Sequence, residues 1–122
     1  MTCREPDGEP AGITVNSFTS VSLEPRLILW NIANFLAADQ QAVSEHFAQL
    51  DRPIFDNLAA ADSPSGQPVL ADCIGYLHCH TDAIHEGGDH YIIVGEVERF
   101  ELGRDADPLL YYGSRYRTLA YD

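Results

Sequence analysis

Lysine is missing from this chain altogether, and only seven arginines stand against 19 acidic residues, for a net charge of −12. Such a surface repels nucleic acid and anionic lipid, so neither is expected as a partner. Cysteine is scarce too: Cys3, Cys73 and Cys79 make an odd count with no C-x-x-C pair. That speaks against a disulfide scaffold and suits reduced thiols in a cytoplasmic protein. No apolar run is long enough to cross a bilayer. Met1-Thr2-Cys3-Arg4-Glu5-Pro6 runs into a turn and has none of the character of a signal peptide. Internal repeats and low-complexity tracts are also lacking.

What the chain does contain is core-forming material. Apolar residues make up 45% and aromatics 10% of its 122 residues, which predicts a single globular domain over residues 1–122. Glu-Pro-Asp-Gly-Glu-Pro at residues 5–10 is a turn signal. Ala11 to Ser17 then alternates Ile13 and Val15 against Thr14 and Asn16, as a strand does, and Phe18 to Ser22 reads as a polar connection. Leu27 to Ile32 reads as a strand buried on both faces. Leu36, Val43, Phe47 and Leu50 fall on one face of a helix, with Asp39 as its expected N-cap. Residues 51–68, punctuated by Pro53, Pro64 and Pro68, read as loop. Strands are expected from Cys73 to about Thr81, from His90 to about Leu102, and from Pro108 to Tyr112. One helix among several strands points to a small, mostly antiparallel barrel.

Two stretches carry potential chemistry. Gly87-Gly88-Asp89 is a tight turn that feeds His90 into the apolar strand Tyr91-Ile92-Ile93-Val94. A histidine where rigid sheet meets loop is well placed for binding or catalysis; it is equally at home there as a half-buried structural residue. Asn16 to Ser22 offers four hydroxyls, a carboxamide and a run of backbone N–H donors beyond a strand. A planar heterocycle with imide oxygens, or a phosphate, needs donors of this kind, and Phe18 can stack on a ring. The plainer reading is a Ser/Thr-rich turn.

In order along the chain, GEPAGITVNSFTSVSLEPRLILW resembles the first signature of the short-chain flavin reductases. GGDHYIIVGEVERFE is similar to their second signature and PLLYYGSRYRTL to their C-terminal one. Leu36 to Ala48, with its Ala-Asp-Gln start, resembles their helix. The resemblance implies a mainly β, FMN-binding split β-barrel of Greek-key type with one packed helix. It implies an NAD(P)H-dependent flavin (FMN) reductase, with FAD possible, that supplies reduced flavin to a partner flavin-dependent monooxygenase. It also implies a homodimer with the flavin near the subunit interface. By the same resemblance Val15, Asn16, Ser17 and Phe18 line the isoalloxazine, and Ser20, Val21 and Ser22 hold the ribityl chain and phosphate. His90 stands beside the reacting rings as the catalytic residue, Asp89 sets its turn, and Tyr116 lies near the cofactor.

The chain departs from the family pattern in two places. The family's N-terminal helix and full first strand have no counterpart before residue 5. Between Asn31 and Leu36 the family's phosphate-contacting serine, a helix and another strand have no counterpart, so unpaired edges are expected. Two rival readings remain: a shortened flavin-binding paralogue without turnover, and a metal-binding β-barrel centred on His78, His80 and His85. On a strand His78 and His80 face one way and Cys79 the other, which makes Cys79 a core residue rather than a ligand. The acids from Glu86 to Asp107 lack calcium-loop spacing and read as a solvated face.

Overall fold

The computed structural model describes residues 1–15, 20–23, 26–28, 32–49, 55 and 58–121; for residues 20–23, 26–28 and His90 it describes the backbone alone. Seven antiparallel strands form the main sheet. They are β1 (Thr2–Arg4), β2 (Pro10–Gly12), β3 (Ser20–Leu23), β4 (Arg26–Ile28), β5 (Ile32–Phe35), β8 (Gly75–Gly87) and β9 (His90–Leu102), in the order β2-β1-β5-β8-β9-β4-β3. Two small ribbons stand outside it: β6 (Ala60–Asp62) with β7 (Pro68–Leu70), and β10 (Leu110–Tyr112) with β11 (Arg115–Arg117). The helix α1 (Gln41–Phe47) follows a 3-10 turn at Ala38–Gln40.

Connectivity forces this sheet to curl. Six strand spacings separate β2 from β3, about 29 Å on a flat sheet, which the chain from Gly12 to Ser20 could cover only if fully extended. Yet Ile13 and Thr14 are held back, their N–H groups donating to Met1 O at 2.9 Å and Phe47 O at 3.4 Å. Likewise Ile28 pairs with Gly95 on one side of the β8–β9 hairpin and Ile32 with His78 on the other. Three spacings, about 14 Å, are as much as four extended residue steps can reach. Curvature into a split barrel relieves both spans.

The elements depart from the sequence expectations in specific ways. The segment expected as one strand from Leu27 to Ile32 supplies two, β4 and β5, which pair with different strands. Ser20–Leu23, expected as connection, is β3, because its partner β4 offers a ladder of backbone groups. Of the strand expected over Ala11–Ser17, only Pro10–Gly12 pairs, and residues 16–17 lie outside the described residues. Asp39 does not cap the helix. Gln40 reaches back to the Ala37 N–H at 2.9 Å, while the Asp39 carboxylate grips Arg104 in a bidentate pair. Leu50 falls outside the described residues.

The helix period does place Phe47 in the core with Leu70 and Cys73, flanked by Leu36, Val43, Phe55, Leu58 and Tyr76. A second cluster joins Ala33 and Cys79. Between them runs a buried polar thread. Thr2 Oγ1 donates to Pro68 O at 2.6 Å, Asn34 Nδ2 donates to Thr2 Oγ1 at 2.8 Å, and Asn34 Oδ1 accepts from Leu70 N at 3.0 Å. These bonds tie β1, β5 and β7 together, because a buried hydroxyl or amide left unpaired would cost about 1–3 kcal/mol.

Candidate functional site

A cavity of about 550 Å³ opens between β5, α1, residues 13–15 and the β10–β11 ribbon. Its wall is shaped from the sequence upward. Gly12 lets the chain pass so close to the helix that a Cβ there would sit 2.6 Å from the Phe47 ring. The next residues then lie along α1, where Thr14 Oγ1 donates to Ser44 O at 2.5 Å, and Val15 follows on the cavity wall. Opposite, Gly113 and Ser114 both take positive φ angles, 59° and 61°, and turn β10 into β11. That turn stacks Tyr111 edge-on against Tyr116, ring centroids 5.1 Å apart. Tyr116 Oη then donates to Ser44 Oγ at 2.9 Å, closing ribbon onto helix.

No acidic, basic or histidine side chain contributes to this wall among the described residues; it offers hydroxyls and the Asn34 carboxamide on an otherwise apolar surface. A flat heterocycle fits such a place, since its faces want apolar contact and its edge a few oriented polar groups. The volume suits a ring system of flavin size.

The residues singled out in the sequence are distributed as follows. Val15 and Tyr116 share the cavity. Asn16, Ser17 and Phe18, which continue from Val15, lie outside the described residues. Ser20, Val21 and Ser22 form β3, with a bulge between Ser20 and Ser22 where it pairs with β4. Through β4 these serines lie level with Gly95 and Glu96 of β9, five to six residues along that strand from His90. His90 opens β9 opposite Gly87, and its side chain lies outside the described set. Asp89 is exposed in the intervening turn, where Gly88 takes φ +71°, and it does not line the cavity. Sequence reasoning passed over Thr14, Ser44 and Tyr111. A serine three residues before a core phenylalanine was the one available signal, and Ser44 is indeed buried.

His78 and His80 occupy different surroundings. A bulge between His78 and Cys79 breaks the strand alternation. His78 is buried, its Nε2 3.1 Å from Glu101 and 3.2 Å from Arg99. His80 is exposed between Glu96 and Glu98, at 3.5 and 3.3 Å. Among the described residues no three metal-ligating side chains converge. Cys79 packs in the core, and burial pushes its thiol up to about 11.

The sequence matches the flavin reductase like domain over residues 1–120. It is 38% identical over 133 residues to the FMN reductase (NADH) SmoA of Agrobacterium fabrum, spanning 95% of this chain and 75% of that protein. It is 31% identical to HsaB, the reductase subunit of a flavin-dependent monooxygenase from Rhodococcus jostii, spanning 95% of this chain and 68% of that one. Among solved structures, the Streptomyces globisporus NADH:FAD oxidoreductase SgcE6, in complex with NAD and FAD fragments, superimposes with a TM-score of 0.88. The two are 32% identical, over 99% of this chain and 83% of that one.

Proposed function

The chain belongs to the flavin reductase-like family, and from that membership we propose that it is an NADH-dependent flavin reductase delivering reduced flavin to a separate monooxygenase. The observation that carries this reading is the hydroxyl-bearing cavity, free of acidic, basic and histidine side chains among the described residues, to which Val15 contributes just before Asn16–Ser22 in the sequence. When bound, a flavin supplies the ring that takes hydride from a nicotinamide. The protein's part is to align and shield: Val15 and Tyr116 flank the ring, Ser44 orients the Tyr116 hydroxyl, and the apolar wall excludes water.

Within this reading Asn16, Ser17 and Phe18 continue the ring site from Val15. Ser20, Val21 and Ser22 hold the ribityl chain and phosphate through β3. His90 stands beside the reacting rings, with Asp89 setting its turn. The cofactor is FMN, with FAD sharing the same ring and ribityl contacts. The neutral wall and the scarcity of arginine favour NADH over NADPH. The work is cytoplasmic, consistent with free cysteines and with the lack of any described helix long and apolar enough to cross a membrane.

The active form is a homodimer. The outer part of the β8–β9 hairpin leaves Ile84, Tyr91 and Ile92 exposed at 61%, 72% and 44%, an apolar surface that a second copy would cover. The interior segment missing between Asn31 and Leu36 belongs to this reading as well.

The deciding experiment follows NADH absorbance with purified protein and added FMN or FAD. Flavin-dependent NADH consumption is expected. Flavin bands in the visible spectrum without turnover would make the chain a flavin carrier, and the absence of both flavin bands and turnover would overturn the assignment. Sedimentation at micromolar concentration checks the dimer; a folded monomer would refute it.

A further inference from the structure

Positive charge that is free to meet an anion is confined to one described feature of this molecule. Five arginine side chains are described. Arg4 is engaged by Asp62, Arg99 lies 3.3 Å from Glu101, and Arg104 is clamped by Asp39. Arg115 and Arg117 are both exposed, and neither side chain makes an ion pair or hydrogen bond among the described residues. Both sit on β11, one on each side of Tyr116.

Strand alternation sorts this ribbon into two faces. Tyr111 and Tyr116, paired across the strands, face the cavity. Arg115 pairs with Tyr112 and Arg117 with Leu110, so these side chains lie on the opposite face. Tyr112 is 79% exposed there, a large aromatic surface open to solvent. An exposed aromatic ring beside two unpaired guanidinium groups is a surface on which a nucleobase stacks and a pyrophosphate is neutralised.

We propose that the outer face of the β10–β11 ribbon, through Tyr112, Arg115 and Arg117, receives the adenosine and pyrophosphate end of the nicotinamide dinucleotide. The reacting nicotinamide then enters the cavity around the Gly113–Ser114 turn. This rests on the reading of the protein as an NADH-dependent reductase. A flavin ring and a nicotinamide ring together occupy a cavity of this size, which leaves the other half of the donor outside it. In a chain of net charge −12, an anionic donor approaches against repulsion everywhere except near unneutralised arginine. The two guanidiniums at the rim supply that exception.

The test uses ADP-ribose, which carries the adenosine and pyrophosphate but no nicotinamide. Calorimetric titration of the wild type is expected to show binding that weakens with added salt. Arg115→Gln with Arg117→Gln should weaken it about tenfold, and Tyr112→Ala about threefold, as loss of charge-assisted bonds and stacking predicts. A parallel measurement compares NADH with an uncharged donor, 1-benzyl-1,4-dihydronicotinamide. The ratio of their kcat/KM values should fall about tenfold in the arginine double variant, in line with the binding loss. No ADP-ribose binding in the wild type, unchanged binding in the double variant, or an unchanged ratio would overturn the proposal. A wild type that oxidises neither donor would instead overturn the reductase reading, while the ADP-ribose titration still decides the site. Circular dichroism melting of each variant confirms that it is folded.

Discussion

Gly103 is the position where a single methyl group should do the most damage. A Cβ built there lies 1.9 Å from Cys73 O, 2.8 Å from Cys73 C and 3.1 Å from Ile74 C. All three are backbone atoms, so no side-chain rotation relieves the clash. Ordinary contact begins near 3.4 Å, so the two chain segments must part by about 1.5 Å. Two backbone bonds hold them together, Gly103 N to Ile74 O at 3.0 Å and Arg104 N to Cys73 O at 3.1 Å. Losing both costs about 2 kcal/mol, and the overpacking adds about 1–3 kcal/mol. The expected loss for Gly103→Ala is therefore about 3–5 kcal/mol, a large share of the roughly 5–15 kcal/mol that holds a domain folded. At about 3–5 °C per kcal/mol for a chain of this length, Tm should fall by roughly 10–25 °C. Arg104 also carries the grip on Asp39 in the 3-10 turn that leads into α1, whose Ser44 and Phe47 wall the cavity. Flavin affinity should fall with stability. Thermal unfolding by circular dichroism measures the first effect and fluorescence titration the second. Gly8→Ala is the control: Gly8 has φ +90° but open space around a Cβ, so only backbone strain of about 1–2 kcal/mol is expected. If Gly103→Ala melts no lower than Gly8→Ala, the close approach has been misjudged.

Other outcomes follow from the same structure. Burial raises the thiols of Cys3, Cys73 and Cys79 and the Tyr76 phenol, Cys79 to about 11. The native state thus keeps protons that the unfolded chain releases, so stability is full below the unfolded thiol value of 9.0 and declines as pH rises from there towards 11. Urea midpoints that stay constant across this alkaline range would contradict it; Cys79→Ala should flatten part of the decline. Replacing Ser20 and Ser22 together with alanine should weaken FMN binding by about 1–3 kcal/mol, read by flavin fluorescence, and unchanged affinity would remove β3 from the site. His90→Ala should slow reduction of bound flavin in stopped flow more than it weakens flavin binding. A variant that loses flavin yet reduces what remains at the normal rate would show that His90 holds the cofactor instead.

Much of this protein could be read one residue at a time. The β-branched and aromatic run Tyr91–Val94 marked β9, the Gly-Gly-Asp turn marked the hairpin before it, and the helical period put Phe47 in the core, because each depends on neighbours close in sequence. The lack of lysine and the burial of Cys79 were equally local. Other features depended on partners distant in the chain. Leu27 to Ile32 looks like one buried strand, and only the pairing of Ile28 with Gly95 and of Ile32 with His78 divides it in two. Asp39 has the chemistry of a cap, but Arg104, far along the chain, claims its carboxylate. Ser44 is an unremarked helix residue until the β10–β11 ribbon lays the Tyr116 hydroxyl on it. Arg115 and Arg117 look like any surface arginines until every other described guanidinium proves to have an acid beside it. Local pattern marks β9 and α1, since backbone geometry and the burial of one face act over a few residues, whereas β3 and β6 become strands only through their partners. The cavity and its charge were decided by tertiary structure, because hydrogen bonds and ion pairs between remote segments choose their partners only once the sheet has curled.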